Sequence, residues 1–126
     1  MEKLVKASWG LLALIHLMPA LVLFKPSLVE TLYGVTPEDD VGILLIHRGA
    51  LFLAVLVAAL FAIVDNNARR ACSVVVAISI VGFLYVYILQ GMPAGDLRKI
   101  AIADLIALIP LAFVSYRAWR GKTLKD

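Results

Sequence analysis

The chain has 126 residues, of which 63% are hydrophobic, and its mean hydropathy is +0.97. Soluble domains are about half apolar, so this composition excludes an ordinary soluble protein and predicts an integral membrane protein. The formal net charge is +3, but most basic residues lie beside apolar runs, where they indicate membrane topology rather than nucleic-acid binding. A single cysteine, Cys72, excludes an intrachain disulfide.

The apolar runs predict an all-α fold, namely an integral membrane four-helix bundle with a short interfacial helix between helices one and two. The whole chain forms one predicted transmembrane domain, because four spans of about 20 residues use most of its length. The predicted spans lie at about 7–24, 38–64, 71–90 and 97–117 of the 1–126 domain.

The short helix is predicted from signals between the first two spans. Ser27 and Glu30 have the spacing of a capping box, and Gly34 offers a stop. We therefore expect an amphipathic helix over about Leu28–Tyr33 at the membrane interface, with Leu28, Leu32 and Tyr33 toward lipid or the bundle mouth.

The remaining helix ends are predicted from turn residues. Thr36 reads as an N-cap with Pro37 in the first turn, so helix two should start near Pro37. A polar turn at 65–68 separates helices two and three, and a glycine-rich turn at 91–95 separates helices three and four. Asp96 is suited to cap helix four.

The orientation is predicted from the distribution of Lys and Arg. With four spans, one side of the membrane holds the termini and the 65–68 turn, with eight basic residues: Lys3, Lys6, Arg69, Arg70, Arg117, Arg120, Lys122 and Lys125. The other side holds three: Lys25, Arg98 and Lys99. The positive-inside rule then predicts a multi-pass protein of the cell inner membrane with both termini in the cytoplasm.

Few polar side chains fall within the predicted spans, and each is costly in hydrocarbon unless it has a partner. They are His16, His47, Arg48 and Asp104. A rise of about 1.5 Å per residue places all four roughly 8 to 13 Å below the outer surface. Their common depth predicts an Arg48–Asp104 ion pair with the two histidines around it.

Helix three contributes candidates for further hydrogen bonds at the same level. Tyr85, Tyr87 and Gln90 lie near its outer end. The polar layer has two interpretations that the sequence leaves open: an outward-facing ligand pocket, or a closed structural clasp without a ligand.

Helix two carries small residues at four-residue spacing, Ala50, Ala54, Ala58 and Ala62. Such a stripe lets a second helix approach closely, so it indicates packing within the bundle or between protomers of a homo-oligomer.

Two histidines at one depth also raise the hypothesis of axial ligation of a b-type haem. The close packing that the alanine stripe predicts disfavours the wide cleft a porphyrin needs. A metal site of His16, His47 and Asp104 lacks any short ligand spacing. We therefore expect no metal and no cofactor, and keep haem b as a lesser alternative.

Two segments carry a family resemblance: Lys25–Gly34, with its Lys-Pro start and Leu-Tyr-Gly end, and Ile46–Phe52, which contains the His-Arg pair. With four short spans, the chain resembles the small bacterial DoxX-like or DUF4345-type membrane proteins. The resemblance implies a four-helix bundle with an Arg near the start of helix two. Some similar proteins carry the label of a phosphopantetheine adenylyltransferase, but this sequence has no nucleotide-binding pattern.

The favoured functional hypothesis is a non-enzymatic membrane protein that binds a membrane lipid or small amphiphile in the outer-half pocket, or assists a membrane complex. One alternative is a small dimeric proton-coupled transporter with Asp104 as the protonatable residue. A lesser alternative is a membrane-embedded enzyme with His16 or His47 as general base.

Overall fold

A computed structural model of the protein describes residues 1–120, and within them the chain forms five helices and no strand. The predicted all-α class is therefore confirmed for this part of the chain. The helices are α1 (Glu2–Leu21), α2 (Leu28–Tyr33), α3 (Asp40–Val64), α4 (Arg69–Leu89) and α5 (Asp96–Arg120). Lys122 and Lys125, two of the basic residues used to predict the orientation, lie outside the described residues.

Three of the helices, α1, α3 and α4, are long and apolar enough to cross a membrane. Large apolar side chains are also exposed on all four long helices, for example Leu14, Leu44, Ile78 and Ile109. Extensive exposed apolar surface of this kind marks contact with a membrane or another apolar partner. Both findings support a membrane protein.

The fourth predicted span corresponds to α5, which is not among those three helices. It carries six charged residues, Asp96, Arg98, Lys99, Asp104, Arg117 and Arg120. Five of them lie in its first or last turn, and Asp104 alone is interior.

Each long helix packs against two others: α1 and α4 both contact α3, and both contact α5. Buried Trp9, Leu12, Ile80 and Val114 belong to the shared core. Two ends of this assembly can be distinguished. The termini end holds the start of α1, the 65–68 turn and the last turn of α5, and the loop end holds residues 22–39 and 90–95.

Helix α2 has the predicted bounds and the predicted stop. Gly34 has φ 67°, a left-handed conformation that favours glycine, and its N–H donates to the Glu30 carbonyl at 2.9 Å. Val29 is the buried residue of this short helix, whereas Leu32 and Tyr33 are half-buried.

The predicted capping box at the start of α2 is wrong. Ser27 makes no side-chain capping bond, since its backbone is helical, with φ −60° and ψ −19°, rather than extended as an N-cap requires. The N–H groups of Leu28 and Val29 instead donate to the carbonyls of Lys25 and Pro26, each at 3.0 Å. Backbone acceptors thus replace the side-chain cap.

Helix α3 begins at Asp40 rather than near Pro37, and its N-cap is Asp39 rather than Thr36. The preceding residues form a turn across the first turn of the helix. A Cβ on Gly42 would lie 2.1 Å from the Thr36 carbonyl oxygen, so this approach requires glycine. Thr36 and Pro37 therefore lie beside the first turn of α3 and are not part of the helix.

The alanine stripe does not form one packing seam in the structure. Ala62 is buried, Ala50 and Ala58 are half-buried, and Ala54 is exposed. Positions four residues apart advance by about 400° around a helix, so the stripe rotates by about 40° at every step. The face of α3 that α1 approaches is marked by Gly49, whose Cβ would lie 3.2 Å from the Pro19 carbonyl oxygen.

Candidate functional site

At the termini end, Arg69 and Arg70 each donate several hydrogen bonds to other helices. Arg69 is 8% exposed, and its Nε donates to the Ala62 carbonyl at 2.9 Å. Its Nη1 and Nη2 donate to the two carboxylate oxygens of Glu2 at 3.1 and 2.5 Å. The side chain therefore satisfies a carbonyl near the end of α3 and ties α1 to α4. From the sequence, Arg69 had been interpreted only as a topology signal.

Arg70 performs a similar task for α5. Its guanidinium donates to the carbonyls of Ala118 and Trp119 at 3.0 and 3.2 Å and lies 5.2 Å from the centroid of the Trp119 ring. The Trp119 indole N–H donates to the Ser73 hydroxyl at 3.2 Å. These bonds satisfy the last carbonyls of the helix and give the termini end a structural role.

Near the loop end, all five helices contribute to a cavity of about 360 Å³, which we call the polar cavity. Its volume lies within the range of small-molecule sites. Its walls are mostly apolar, with the aromatic rings of Phe52 and Phe83 among them. Five polar side chains line it: His16, Tyr33, Arg48, Lys99 and Asp104.

His16 is a buried wall of this cavity with both ring nitrogens in use. Nδ1 lies 2.8 Å from the Leu12 carbonyl, and Nε2 lies 3.0 Å from the Ser79 hydroxyl. Because a carbonyl only accepts, we assign the proton to Nδ1, so that Nε2 accepts from Ser79. The ring centroid lies 5.9 Å from that of Phe52. These contacts fix the orientation of the imidazole ring and link α1 to α4.

Arg48 does not form the predicted ion pair. Within residues 1–120, no carboxylate oxygen lies within 4.0 Å of its guanidinium, and the side chain donates no hydrogen bond. The guanidinium carbon lies 4.8 Å from the Phe52 centroid and 5.9 Å from the Phe83 centroid. Aromatic rings attract the charge but leave the N–H groups without acceptors.

Asp104 is the opposite charge in the same cavity. Its side chain is 9% exposed, yet its carboxylate accepts no hydrogen bond from the described part of the chain. It is attracted electrostatically by Arg48 without contacting it. Arg48 and Asp104 therefore line the same cavity, but the predicted contact between them is not made.

Tyr33 and Lys99 complete the polar lining, and neither was predicted as a site residue. Burial raises the pKa of the Tyr33 phenol, and the nearby charge of Arg48 opposes that shift, so the group is a neutral donor. Lys99 is exposed at the rim, where its Nζ lies 3.6 Å from Asp96. The rim also includes Leu14 and Met18, which are exposed.

A second cavity, the apolar groove, lies between α3 and α4 with a volume of about 430 Å³. It shares Arg48, Phe52 and Phe83 with the polar cavity, so these three side chains form the partition between the two spaces. The rest of its lining is apolar except for Ser79.

Four of the predicted site residues lie elsewhere. His47, Tyr85 and Gln90 are exposed and line neither cavity. Tyr87 is buried, but its hydroxyl donates to the Pro93 carbonyl at 2.8 Å and thereby secures the 90–95 turn. The prediction was wrong to bring these side chains to the polar layer, because their depth was inferred without the direction in which they point.

His47 does not line the polar cavity because of its angular position on α3. Successive residues are about 100° apart, so only one of His47 and Arg48 faces the cavity. The signal in the sequence was the spacing of Gly42 and Gly49, seven residues apart and thus on one face of the helix. Counted from Gly49, His47 lies about 200° away, on the opposite side.

No group of three or more His, Cys, Asp or Glu side chains within the described chain is placed to hold a metal ion. The two histidines of the haem hypothesis lie on different surfaces, one inside the polar cavity and one exposed. No family model, curated protein or solved structure matches this chain.

Proposed function

We propose that the protein is a non-enzymatic inner-membrane bundle that binds a lipid or small amphiphile in the polar cavity. The observation that carries the proposal is the state of Arg48 and Asp104. Two opposite charges line one mostly apolar cavity, and neither has a hydrogen bond or ion pair within the described residues. Intramembrane charges are expensive and are typical of functional sites.

The architecture that this proposal requires is a bundle of four transmembrane helices. Helix α5 has 25 residues and packs against α1 and α4, both of which qualify as membrane spans. Its charges cluster at its two ends, and Asp104 faces the polar cavity. We infer that α5 is the fourth span and that its carboxylate is tolerated because it does not face lipid.

The orientation is part of the proposal. The positive-inside rule places the basic termini end in the cytoplasm and the polar cavity in the outer half of the membrane. A reporter that is active only in the cytoplasm should be active at either terminus. External location of either terminus would contradict the proposed topology.

An amphiphile fits the contrast between the cavity and its rim. Arg48, Asp104 and Tyr33 offer polar contacts inside, whereas exposed Leu14 and Met18 at the rim offer an apolar path to lipid. The proposed membership of a DoxX-like or DUF4345-type family rests on the two sequence segments quoted above, and it favours the same four-helix architecture.

Native mass spectrometry of the protein extracted with its lipids tests the proposal. The wild type should carry an amphiphile in one-to-one stoichiometry, and Arg48→Gln should lose it. Arg98→Gln is a matched control, because Arg98 is exposed and lies outside both cavities. A wild-type protein that carries no amphiphile, or an adduct unaffected by Arg48→Gln, would contradict it.

A dimeric proton-coupled transporter is the second candidate, favoured by the buried Asp104 carboxylate without a hydrogen bond. It predicts substrate flux in liposomes that a pH gradient drives and that Asp104→Asn abolishes. Of the alanine stripe, Ala54 is exposed and Ala50 and Ala58 are half-buried, so these three residues are the proposed contact for a homo-oligomer, and buried Ala62 is not. Native mass spectrometry reports the number of protomers directly.

Haem b and membrane-embedded enzyme functions rank lower. Both depend on His16 or His47, and the ring nitrogens of His16 are engaged by Leu12 and Ser79. A Soret band in the purified protein would revive the haem hypothesis.

A further inference from the structure

We infer that the polar cavity selects a phospholipid whose zwitterionic headgroup carries a primary ammonium next to the phosphodiester, with the ammonium at Asp104 and the phosphodiester at Arg48. This inference rests on the proposed function and names the ligand class for the same site. It follows from the unmatched hydrogen-bonding capacity of the two charged groups.

Asp104 requires a donor. A buried carboxylate is costly unless hydrogen bonds or an opposite charge compensate it. Asp104 is 9% exposed as a residue, and no described residue donates to its carboxylate. A primary ammonium supplies both the positive charge and three N–H donors.

Arg48 requires an acceptor. Its guanidinium has five N–H groups at its edge, whereas the contacts with Phe52 and Phe83 involve the charge and the ring faces. A phosphodiester offers two non-bridging oxygens, which share one negative charge and have the spacing that a guanidinium binds in bidentate fashion. Such bonds are stronger than those between neutral groups.

One ligand with both charges fits better than an ion of either sign. An anion alone would satisfy Arg48 but bring a second negative charge into the cavity of Asp104. A cation alone would leave Arg48 without an acceptor and add a like charge beside it. Like charges repel strongly where little water is present, so a zwitterion is the matched ligand.

The dimensions agree with a headgroup in the cavity and chains outside it. A volume of about 360 Å³ lies near the lower end of the range of small-molecule sites. That space suits a headgroup but not two acyl chains. The exposed side chains of Leu14 and Met18 at the rim provide an apolar surface along which chains can leave the cavity.

The test is lipid competition on the full-length protein in nanodiscs containing equal amounts of phosphatidylethanolamine, phosphatidylcholine and phosphatidylglycerol. Native mass spectrometry after release from the nanodisc reports which lipid stays bound. We expect the ethanolamine lipid to exceed each of the others by about ten-fold, which corresponds to about 1.4 kcal/mol. The choline lipid lacks N–H donors, and the glycerol lipid lacks the cation.

The variants assign the selectivity to the two groups. Asp104→Asn should bring the ethanolamine-to-glycerol ratio to about one, a loss of the same ten-fold. Arg48→Gln should lower the occupancy of all three lipids. Glu38→Gln and Arg98→Gln are matched controls on exposed residues outside the cavity and should keep the wild-type ratio. Circular dichroism of each variant confirms that it is folded, and Asp104→Glu provides a carboxylate-retaining variant that should keep the preference.

The outcomes separate this inference from the proposed function. Equal binding of ethanolamine and glycerol lipids, or of ethanolamine and choline lipids, with Arg48-dependent occupancy would overturn the headgroup selection and keep the amphiphile site. Absence of any Arg48-dependent lipid would overturn both. Displacement of the bound lipid by equimolar free phosphoethanolamine would overturn the lipid source in favour of a soluble ligand.

Discussion

Two arginines at opposite ends of the helix assembly show how differently the same side chain is used. Arg69 at the termini end donates to one carbonyl and both oxygens of Glu2, whereas Arg48 at the loop end donates to nothing in residues 1–120. The first is a structural clasp with its partners in place. The second, like Asp104, has no hydrogen-bond or ion-pair partner among residues 1–120, and the proposed site rests on that difference.

The largest effect should come from Arg69→Met. The substitution keeps the apolar stem but removes three hydrogen bonds, so we expect a loss of about 3 kcal/mol in the free energy of unfolding. Reversible unfolding in mixed micelles measures it. Arg98→Met is the control, since Arg98 is exposed. A loss below about 0.5 kcal/mol, the size of an ordinary surface substitution, would remove the distinction between the two ends.

An intermediate effect should come from Gly42→Ala at the loop end. A Cβ there would meet the backbone of Thr36 and Pro37 at 2.1 to 2.8 Å, so the turn must shift, at a cost of about 2 kcal/mol. The matched control is Gly82→Ala, because nothing lies within 4 Å of a Cβ at that position. Helix propensity should make Gly82→Ala neutral or stabilising.

These two glycine variants sharpen the comparison, since they show whether the loop end is tightly packed around a cavity or loose throughout. Unfolding in the same micelles gives both values. If Gly42→Ala and Gly82→Ala changed the free energy of unfolding equally, the backbone at the loop end would be able to shift, and the residues around the cavity would not be rigidly held.

The smallest effect should come from Arg48→Met. No hydrogen bond is lost, and removal of a charge from a mostly apolar cavity offsets the lost attraction of the Phe52 ring, so the free energy of unfolding should change by less than about 0.5 kcal/mol. Its measurement is the same unfolding titration. A loss as large as that of Arg69→Met would assign Arg48 to a structural clasp and break the contrast on which the proposed site depends.

The sequence predicted features that depend on position along the chain. The five helices, the short α2 with its Gly34 stop, and the common level of His16, Arg48 and Asp104 followed from turn residues and helical rise. What it could not predict was direction around each helix axis, which depends on the packing of neighbours. His47 was assigned to the layer for that reason, although it is exposed.

Long-range partners were also beyond the sequence. Glu2 and Arg69 are separated by 67 residues, and no local spacing signals their contact. Ser79, which fixes the ring of His16, lies 63 residues from it. Such pairs require knowledge of which helices are adjacent. The start of α2 was hard to predict for another reason, since more than one acceptor is available for its first N–H groups. In the structure they donate to the backbone carbonyls of Lys25 and Pro26 and not to the Ser27 side chain.

The Glu2–Arg69 pair has a consequence for the assembly of the protein during synthesis. The residue that holds the first helix in place is made 67 residues after its partner. At about 5 to 20 residues per second, the ribosome needs several seconds to supply it. Until then α1 can pack only on α3, because α4 and α5 have not been made. Its bond to Arg69 forms later than its first packing contacts. Replacing Glu2 should therefore leave α1 without this contact even after α4 has been made.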